Sequence, residues 1–358
     1  LENQTSDMAS YLLFVVLATY VFFTLAYTAV NIPLVTLLSN ETDVPKDRLN
    51  LNVFGTIGTN VGQLGVMMFA LSLVQLLGGA DEAKGYFLLA IIFGIIGAAL
   101  LIMCSLTTKE RLAQTSDTKT NLSPKQMLQS FSNAPWLIIA ITFFLLIAAV
   151  VLRNTQTIYF CQYYLENQAY AAPLMSIMNV LGLPVAIVCP LLAGKFSKKN
   201  LIVASCFISA LGCICSLFAG KNFILLMFFN AAISLGSAII SGIIYVMAAE
   251  AVDYGEFKHG FRSQGILMSV IAFAVKIANS VITMVASAVL NFNGYVGGAD
   301  EQFPSAVNAI RVNYLVIPLI FFIVVGIINM FYTLDKKYPE VRAALDAKRE
   351  QNINSSAE

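Results

Sequence analysis

Lys276 stands near the middle of the apolar run Gly265 to Leu290, and a charge in that position asks for a chemical reason. Counted from a helix start near Gln264 at about 1.5 Å per residue, it lies roughly 18 Å along, mid-depth in a hydrocarbon layer of about 30 Å. An ionisable group there costs at least ~2.5 kcal/mol and marks a functional site by default. Immediately before this run, Met247 to Arg262 reads MAAEAVDYGEFKHGFR and gathers Glu250, Asp253, Glu256, Lys258 and Arg262 around two glycines. The composition predicts a polar turn with a helix-stop glycine and paired charges. Glu250, Asp253 and Arg262 are equally candidates for gating, because closing a passage needs ion pairs made in one state only.

Other polar side chains at span depth are few. They are Tyr27, Thr28 and Asn31; Asn52, Thr56, Thr59, Asn60 and Gln63; Arg153, Asn154, Gln156, Tyr159 and Gln162; and Asn179, Asn230, Ser241 and Asn279. Hydroxyls, amides and tyrosine rings converging from several helices suit a polyhydroxylated solute, while any single Asn or Thr reads first as interhelical glue. Arg153 reads either as a pocket residue or as a cation snorkelling to the outer interface. All 20 carboxylates fall in loops, tails or span ends, so Lys276 has no deep anionic partner in this sequence. A buried lysine must lose its proton or meet a counter-charge. Its partners are therefore expected from helices outside this chain or from the solute. The one histidine, His259, lies in the polar turn, and no nucleophile is paired with a base at depth, which argues against an enzyme.

These residues need helices to hold them. With 58% hydrophobic and 11% charged residues, the chain is an integral membrane protein and all-α. Apolar stretches predict nine spans: Met8 to Leu38, Leu51 to Leu77, Tyr86 to Leu106, Pro135 to Tyr164, Ala171 to Leu192, Leu201 to Ala219, Phe223 to Ala249, Gly265 to Leu290 and Val312 to Tyr332. Sixteen of the 21 basic residues fall in connections on one side, which places the C-terminus in the cytoplasm and the N-terminus outside. The polar connection Thr107 to Asn133 divides three spans from six. The expected organisation is residues 1–106 as the remainder of an N-terminal bundle, 107–133 as a cytoplasmic linker, 134–333 as a six-helix C-terminal bundle and 334–358 as a cytoplasmic tail. Two-bundle carriers with three-helix repeats would then have three further helices ahead of Leu1. Gly55, Gly58, Gly62 and Gly65 recur on neighbouring turns and predict close helix packing, and Pro33, Pro184, Pro190 and Pro318 interrupt spans. The six cysteines read as small hydrophobes within helices.

EAVDYGEFKHGFRSQG followed by Lys276 resembles the glycoside/pentoside/hexuronide:cation symporters, the melibiose-carrier branch of the major facilitator superfamily. YTAVNIP at Tyr27 to Pro33, GKFSKKN at Gly194 to Asn200 and the tail YTLDKKYPEVRAAL add to the resemblance. It implies a twelve-helix, two-bundle carrier of the inner membrane that moves a sugar or glycoside with Na+ or H+ by alternating access, the chain starting at the family's fourth helix. The family's cation-holding aspartates would lie upstream. The implied partners are a small sugar or glycoside, a monovalent cation and the lipid bilayer, with no nucleic acid and no cofactor. By position, Tyr27 and Thr28 would line the sugar and cation region, Asn31 would replace a sugar-binding aspartate, and Lys276 would stand near the cation. Asn52, Arg153, Gln156, Tyr159 and Ser241 complete the expected substrate set, with Thr28 and Lys276 assigned to coupling. The departures are the neutral Asn31, the missing arginine near Asn52, Gln264 where an acid is common, and Ser241 near a tryptophan of the melibiose branch. They leave glycoside, pentoside and uronide substrates open. A non-transporting sugar sensor of the same fold is the alternative.

Overall fold

The structure, a computed structural model, describes residues 11, 14–30, 45–79, 81–108, 129–261, 263–297, 299 and 301–357. Among them every regular element is a helix. These are α1 (Phe14–Val30), α2 (Pro45–Gly78), α3 (Glu82–Thr107), α4 (Ala134–Tyr164), α5 (Ala171–Lys195), α6 (Lys198–Phe218), α7 (Phe223–His259), α8 (Gln264–Phe292), α9 (Pro304–Met330) and α10 (Leu334–Ala357). Six are long and apolar enough to cross a membrane, or seven if the bent α5 counts as one span. The sequence expectation of nine spans is thus met only in its coarse form, a multi-pass helical protein.

The chain divides into two compact units, one holding Leu1–Thr56 and Val74–Lys119, the other Ile57–Leu73 and Thr120–Glu358. In the first, α2 turns into α3 through Gly79 in the left-handed region, and Asp81 caps α3 by accepting from the Lys84 N–H at 3.1 Å. Gly85 lets the two helices approach, since a Cβ there would come within 2.9 Å of Val74 Cγ1. Among the described atoms nothing lies within 4 Å of a Cβ built at Gly55, Gly58, Gly62 or Gly65.

In the second unit, close helix approach is carried by other glycines. A Cβ on Gly236 of α7 would fall against Ser209 Oγ and within 2.5 Å of the Ser205 carbonyl oxygen of α6. Amides stitch the remaining pairs: Asn329 Nδ2 donates to Thr142 Oγ1 at 2.7 Å, joining α9 to α4, and Asn313 Nδ2 donates to the Ala286 carbonyl at 3.1 Å, joining α9 to α8. Ile139, Phe143, Leu146, Ile240, Ile243 and Met247 fill the core between them. Cys161, Cys189, Cys206 and Cys213 are buried within these helices. α5 bends by 40° between Val185 and Ile187, where Pro190 has no N–H to give to the carbonyl of residue 186.

Two features differ from expectation. Phe160–Tyr164 of α4 and Val312–Val316 of α9 are π-helical, each accommodating an extra residue in its turn. The segment read as a polar turn is helical instead: α7 runs 37 residues through Gly255 and stops only at Gly260, whose φ of 78° closes the helix as a left-handed cap. Gly255 stays inside the helix because the Asn133 amide passes over it, 3.0 Å from where a Cβ would be, to donate from Nδ2 to the Ala251 carbonyl at 2.6 Å.

Candidate functional site: a buried arginine and a polar stripe on α8

Arg153 lies on α4 and is only 8% exposed. It does not snorkel. Its guanidinium turns into the bundle, where Nη2 donates to Asn230 Oδ1 of α7 and, at 3.3 Å, to the Tyr314 hydroxyl of α9. Nη1 donates to the Tyr314 carbonyl at 3.3 Å, and the guanidinium carbon sits 4.5 Å from the centre of the Tyr314 ring. That carbonyl is open because Pro318, four residues on, has no N–H to return to it. Asn230 is held in turn, donating from Nδ2 to the Leu174 carbonyl of α5 at 2.9 Å. One cation thus ties α4, α7 and α9, with α5 joined through Asn230. No carboxylate pairs with it among the described residues.

One turn further along α4, Gln156 is 3% exposed and its Oε1 has no hydrogen-bond partner among the described residues. Tyr159 is half-buried, its ring edge-on to Tyr295 at 5.6 Å. Ser241 is half-buried on α7.

Lys276 is exposed on α8. Its carbonyl accepts from Ser280 Oγ at 3.2 Å, and among the described residues no carboxylate pairs with its ammonium. Asn279, Ser280 and Thr283 follow at helical spacing and are exposed as well, which makes one polar stripe along an otherwise apolar helix. Asn279 Nδ2 donates to the Val275 carbonyl and Thr283 Oγ1 to the Asn279 carbonyl, both at 2.8 Å, so these side chains satisfy their donors without any other helix. A stripe with a lysine at its head cannot face hydrocarbon without a penalty of several kcal/mol. It must face a water-filled path or another polar surface. Among the described residues no hydrogen bond joins Lys276 to Arg153, Gln156, Tyr159 or Ser241.

On α1, Tyr27 is exposed and Thr28 Oγ1 donates to the Thr24 carbonyl at 2.8 Å. Asn52 lies on α2, with its side chain outside the described set. Asn31 and Arg262 lie outside the described residues.

At the bundle end where α6 begins, Lys198 Nζ lies 2.7 Å from Glu250 Oε1, with the Glu250 side chain 8% exposed. Asp253 accepts from the Tyr338 hydroxyl of α10 at 2.9 Å and faces Arg342 at 3.9 Å. Two of the three gating candidates, Glu250 and Asp253, are therefore buried helix residues held by α6 and the tail rather than exposed turn charges, and the third, Arg262, lies outside the described residues. Burial, followed by the bond to Asp253, pushes the Tyr338 hydroxyl up to about 12. Asp335 accepts from Ser197 Oγ at 2.6 Å and from the Lys199 N–H at 2.8 Å, capping α6 from outside. Lys198, Tyr338 and Arg342 were missed as partners, although GKFSKKN and the tail carried the signal: basic residues and a tyrosine in two segments flanking apolar runs. Tyr314 was missed too, and the proline four residues after it was the clue.

Comparison with known proteins bears on what this arrangement serves. The chain is 30% identical over 343 residues to the isoprimeverose transporter of Lactiplantibacillus pentosus, covering 93% of this chain and 70% of that protein. It is 26% identical over 325 residues to the putative glycoside/cation symporter YagG of Escherichia coli (strain K12), covering 88% and 69%. It is 25% identical over 328 residues to the putative sulfoquinovose importer of the same organism, covering 89% and 68%. These relatives are transporters, not enzymes. The model of the MFS/sugar transport protein family matches residues 4–336, and this multi-pass helical chain belongs to that family.

Proposed function

We propose that the protein is a secondary transporter that moves a sugar or glycoside together with Na+ or H+ by alternating access, in the inner membrane of a bacterium with its C-terminus cytoplasmic. The observation carrying this reading is the exposed α8 stripe headed by Lys276, a cation mid-helix with no carboxylate beside it among the described residues. Such a group is suited to coupling, because a co-transported cation or a solute hydroxyl changes its electrostatic environment at each turn of the cycle. Gln156, Tyr159 and Ser241 supply amide, ring and hydroxyl chemistry for the solute, and Arg153 holds the helices that carry them. Glu250 and Asp253 are assigned to closure of the cytoplasmic end, where pairs with Lys198, Tyr338 and Arg342 can be exchanged for others. The name of the 30% identical relative supplies the first probe, isoprimeverose.

The test is uptake of labelled isoprimeverose into vesicles holding the protein, driven by an inward Na+ or H+ gradient. Native protein is expected to accumulate the sugar under one of the two gradients, and Lys276→Ala to lose at least about tenfold of that accumulation while keeping downhill exchange. Gradient-driven uptake unchanged in Lys276→Ala would remove Lys276 from coupling. Saturable binding with no uptake under any gradient would identify a sensor instead.

A further inference from the structure

At the end of the second unit opposite the Lys198–Glu250 pair, the end of α4, Lys221 in the turn between α6 and α7, the loop at Glu301 and Gln302 and the start of α9 line a cavity of about 520 Å³. Its walls are fixed by bonds that leave other groups free. Lys221 and Glu166 form an ion pair at 2.5 Å across one rim. Gln302 folds back on its own loop, its Oε1 accepting from the Val296 N–H at 3.0 Å and its Nε2 donating to the Val296 carbonyl at 2.6 Å. Ser305 Oγ donates to the Asn293 carbonyl at 2.8 Å, and Arg311 Nη2 to the Leu217 carbonyl at 2.5 Å. Loop and helix ends are thus ordered before any ligand arrives.

What remains is a set of polar heads without a hydrogen bond or ion pair to another described residue: the Gln162 and Asn308 amides and the Glu301 carboxylate, all exposed and all lining this cavity. Beside them are two tyrosine rings, Tyr164 stacked on Phe160 at 4.8 Å and Tyr163 set edge-on to Tyr295 at 5.8 Å, so both are locked in place. The π-turn Phe160–Tyr164 is what places Gln162, Tyr163 and Tyr164 together at the rim. Amides and a carboxylate can each pair with neighbouring hydroxyls of a pyranose, and a tyrosine face takes its apolar C–H side. The volume falls within the range of small-molecule pockets.

We infer that this cavity is a second, peripheral binding site for a pyranose or short glycoside, which loads the sugar at the bundle mouth before it enters the transport path. It rests on the sugar-transport reading above. The site lies away from Lys276 and Arg153, so its loss lowers capture at low sugar concentration and leaves the transport cycle itself intact.

The test introduces Val307→Cys, at a lining position outside the three polar groups, and measures its labelling by a membrane-impermeant maleimide, with native protein as background for Cys104 and Cys215. Cellobiose and methyl β-xyloside at saturating concentration are each expected to slow labelling at least threefold, and sorbitol, which has no ring face, to leave it unchanged. Protection must persist when Lys276→Ala is added, because the peripheral site works without coupling. In a transport-competent background, Glu301→Ala is expected to raise KM for uptake three- to tenfold with Vmax unchanged. Equal labelling with and without both glycosides overturns the inference while leaving the transport reading standing, and so does equal protection by sorbitol. A fall in Vmax with KM unchanged in Glu301→Ala also overturns it. Failure of native protein to transport any glycoside, with protection intact, would sink the transport reading instead.

Discussion

Replacing Asn230 by leucine isolates the Arg153 knot. The substitution keeps the volume while removing the acceptor of Arg153 Nη2 and the donor to the Leu174 carbonyl. Two magnitudes compete. Interhelical hydrogen bonds in membranes average only about 0.6 kcal/mol, because the unfolded reference state finds other partners. Bonds to charged groups contribute about 1.5–3 kcal/mol, and a guanidinium that is 8% exposed has little water to turn to. The larger figure should prevail, and at roughly 2–4 °C per kcal/mol for a unit of this size Asn230→Leu should lower Tm by about 3–12 °C. Arg153→Met removes the cation together with its desolvation cost. In the double variant the loss should therefore fall short of the two single losses combined by at least ~1.5 kcal/mol, measured as thermal unfolding in detergent followed by size exclusion. Additivity to within ~0.5 kcal/mol, with a Tm shift under about 1 °C for Asn230→Leu, would refute the reasoning that Arg153 depends on this acceptor.

Gly236→Val should disrupt the α6–α7 contact against Ser205 and Ser209 and lower the yield of folded protein, whereas Gly58→Ala, with no described atom within 4 Å, should be tolerated; monodisperse protein recovered after purification reads both. The tail should dock in a pH-dependent way. The Tyr338 hydroxyl is held above its ordinary value of 10, so the stabilisation it contributes is fully present below pH 10 and is lost as pH rises toward about 12. Trypsin cleavage at Lys336, Lys337 and Arg342 is therefore expected to stay slow from pH 7 to about 10 and to accelerate between there and about 12, and Tyr338→Phe should flatten that onset.

Fold class and membrane location were legible because they depend on bulk hydropathy, which a helix in lipid cannot disguise. Lys276 was legible for the same reason: one ammonium in an apolar run stands out whatever surrounds it. Glu250 and Asp253 were legible as interesting residues but not as helix residues. Hydropathy marks where a helix would leave a bilayer, not where it ends, and α7 continues because Lys198 and α10 cover its polar turns. Gly236 gave no periodic signal, although a Cβ there would meet the Ser205 carbonyl oxygen at 2.5 Å. The direction of Arg153 was open in sequence because snorkelling and inward bonding use the same flexible stem. What decides is the carbonyl that Pro318 leaves free on another helix, a long-range coincidence that no local window contains.

Ser197 precedes α6 without its side chain capping that helix, and the Lys199 N–H is met instead by Asp335, which lies 138 residues beyond Ser197 and also accepts from its hydroxyl. At ~5–20 residues per second of synthesis, that carboxylate emerges roughly 7 to 28 s after the turn it completes. Throughout that interval the start of α6 must rely on water or lipid headgroups, so the final docking of the tail doubles as a signal that the whole bundle has been made.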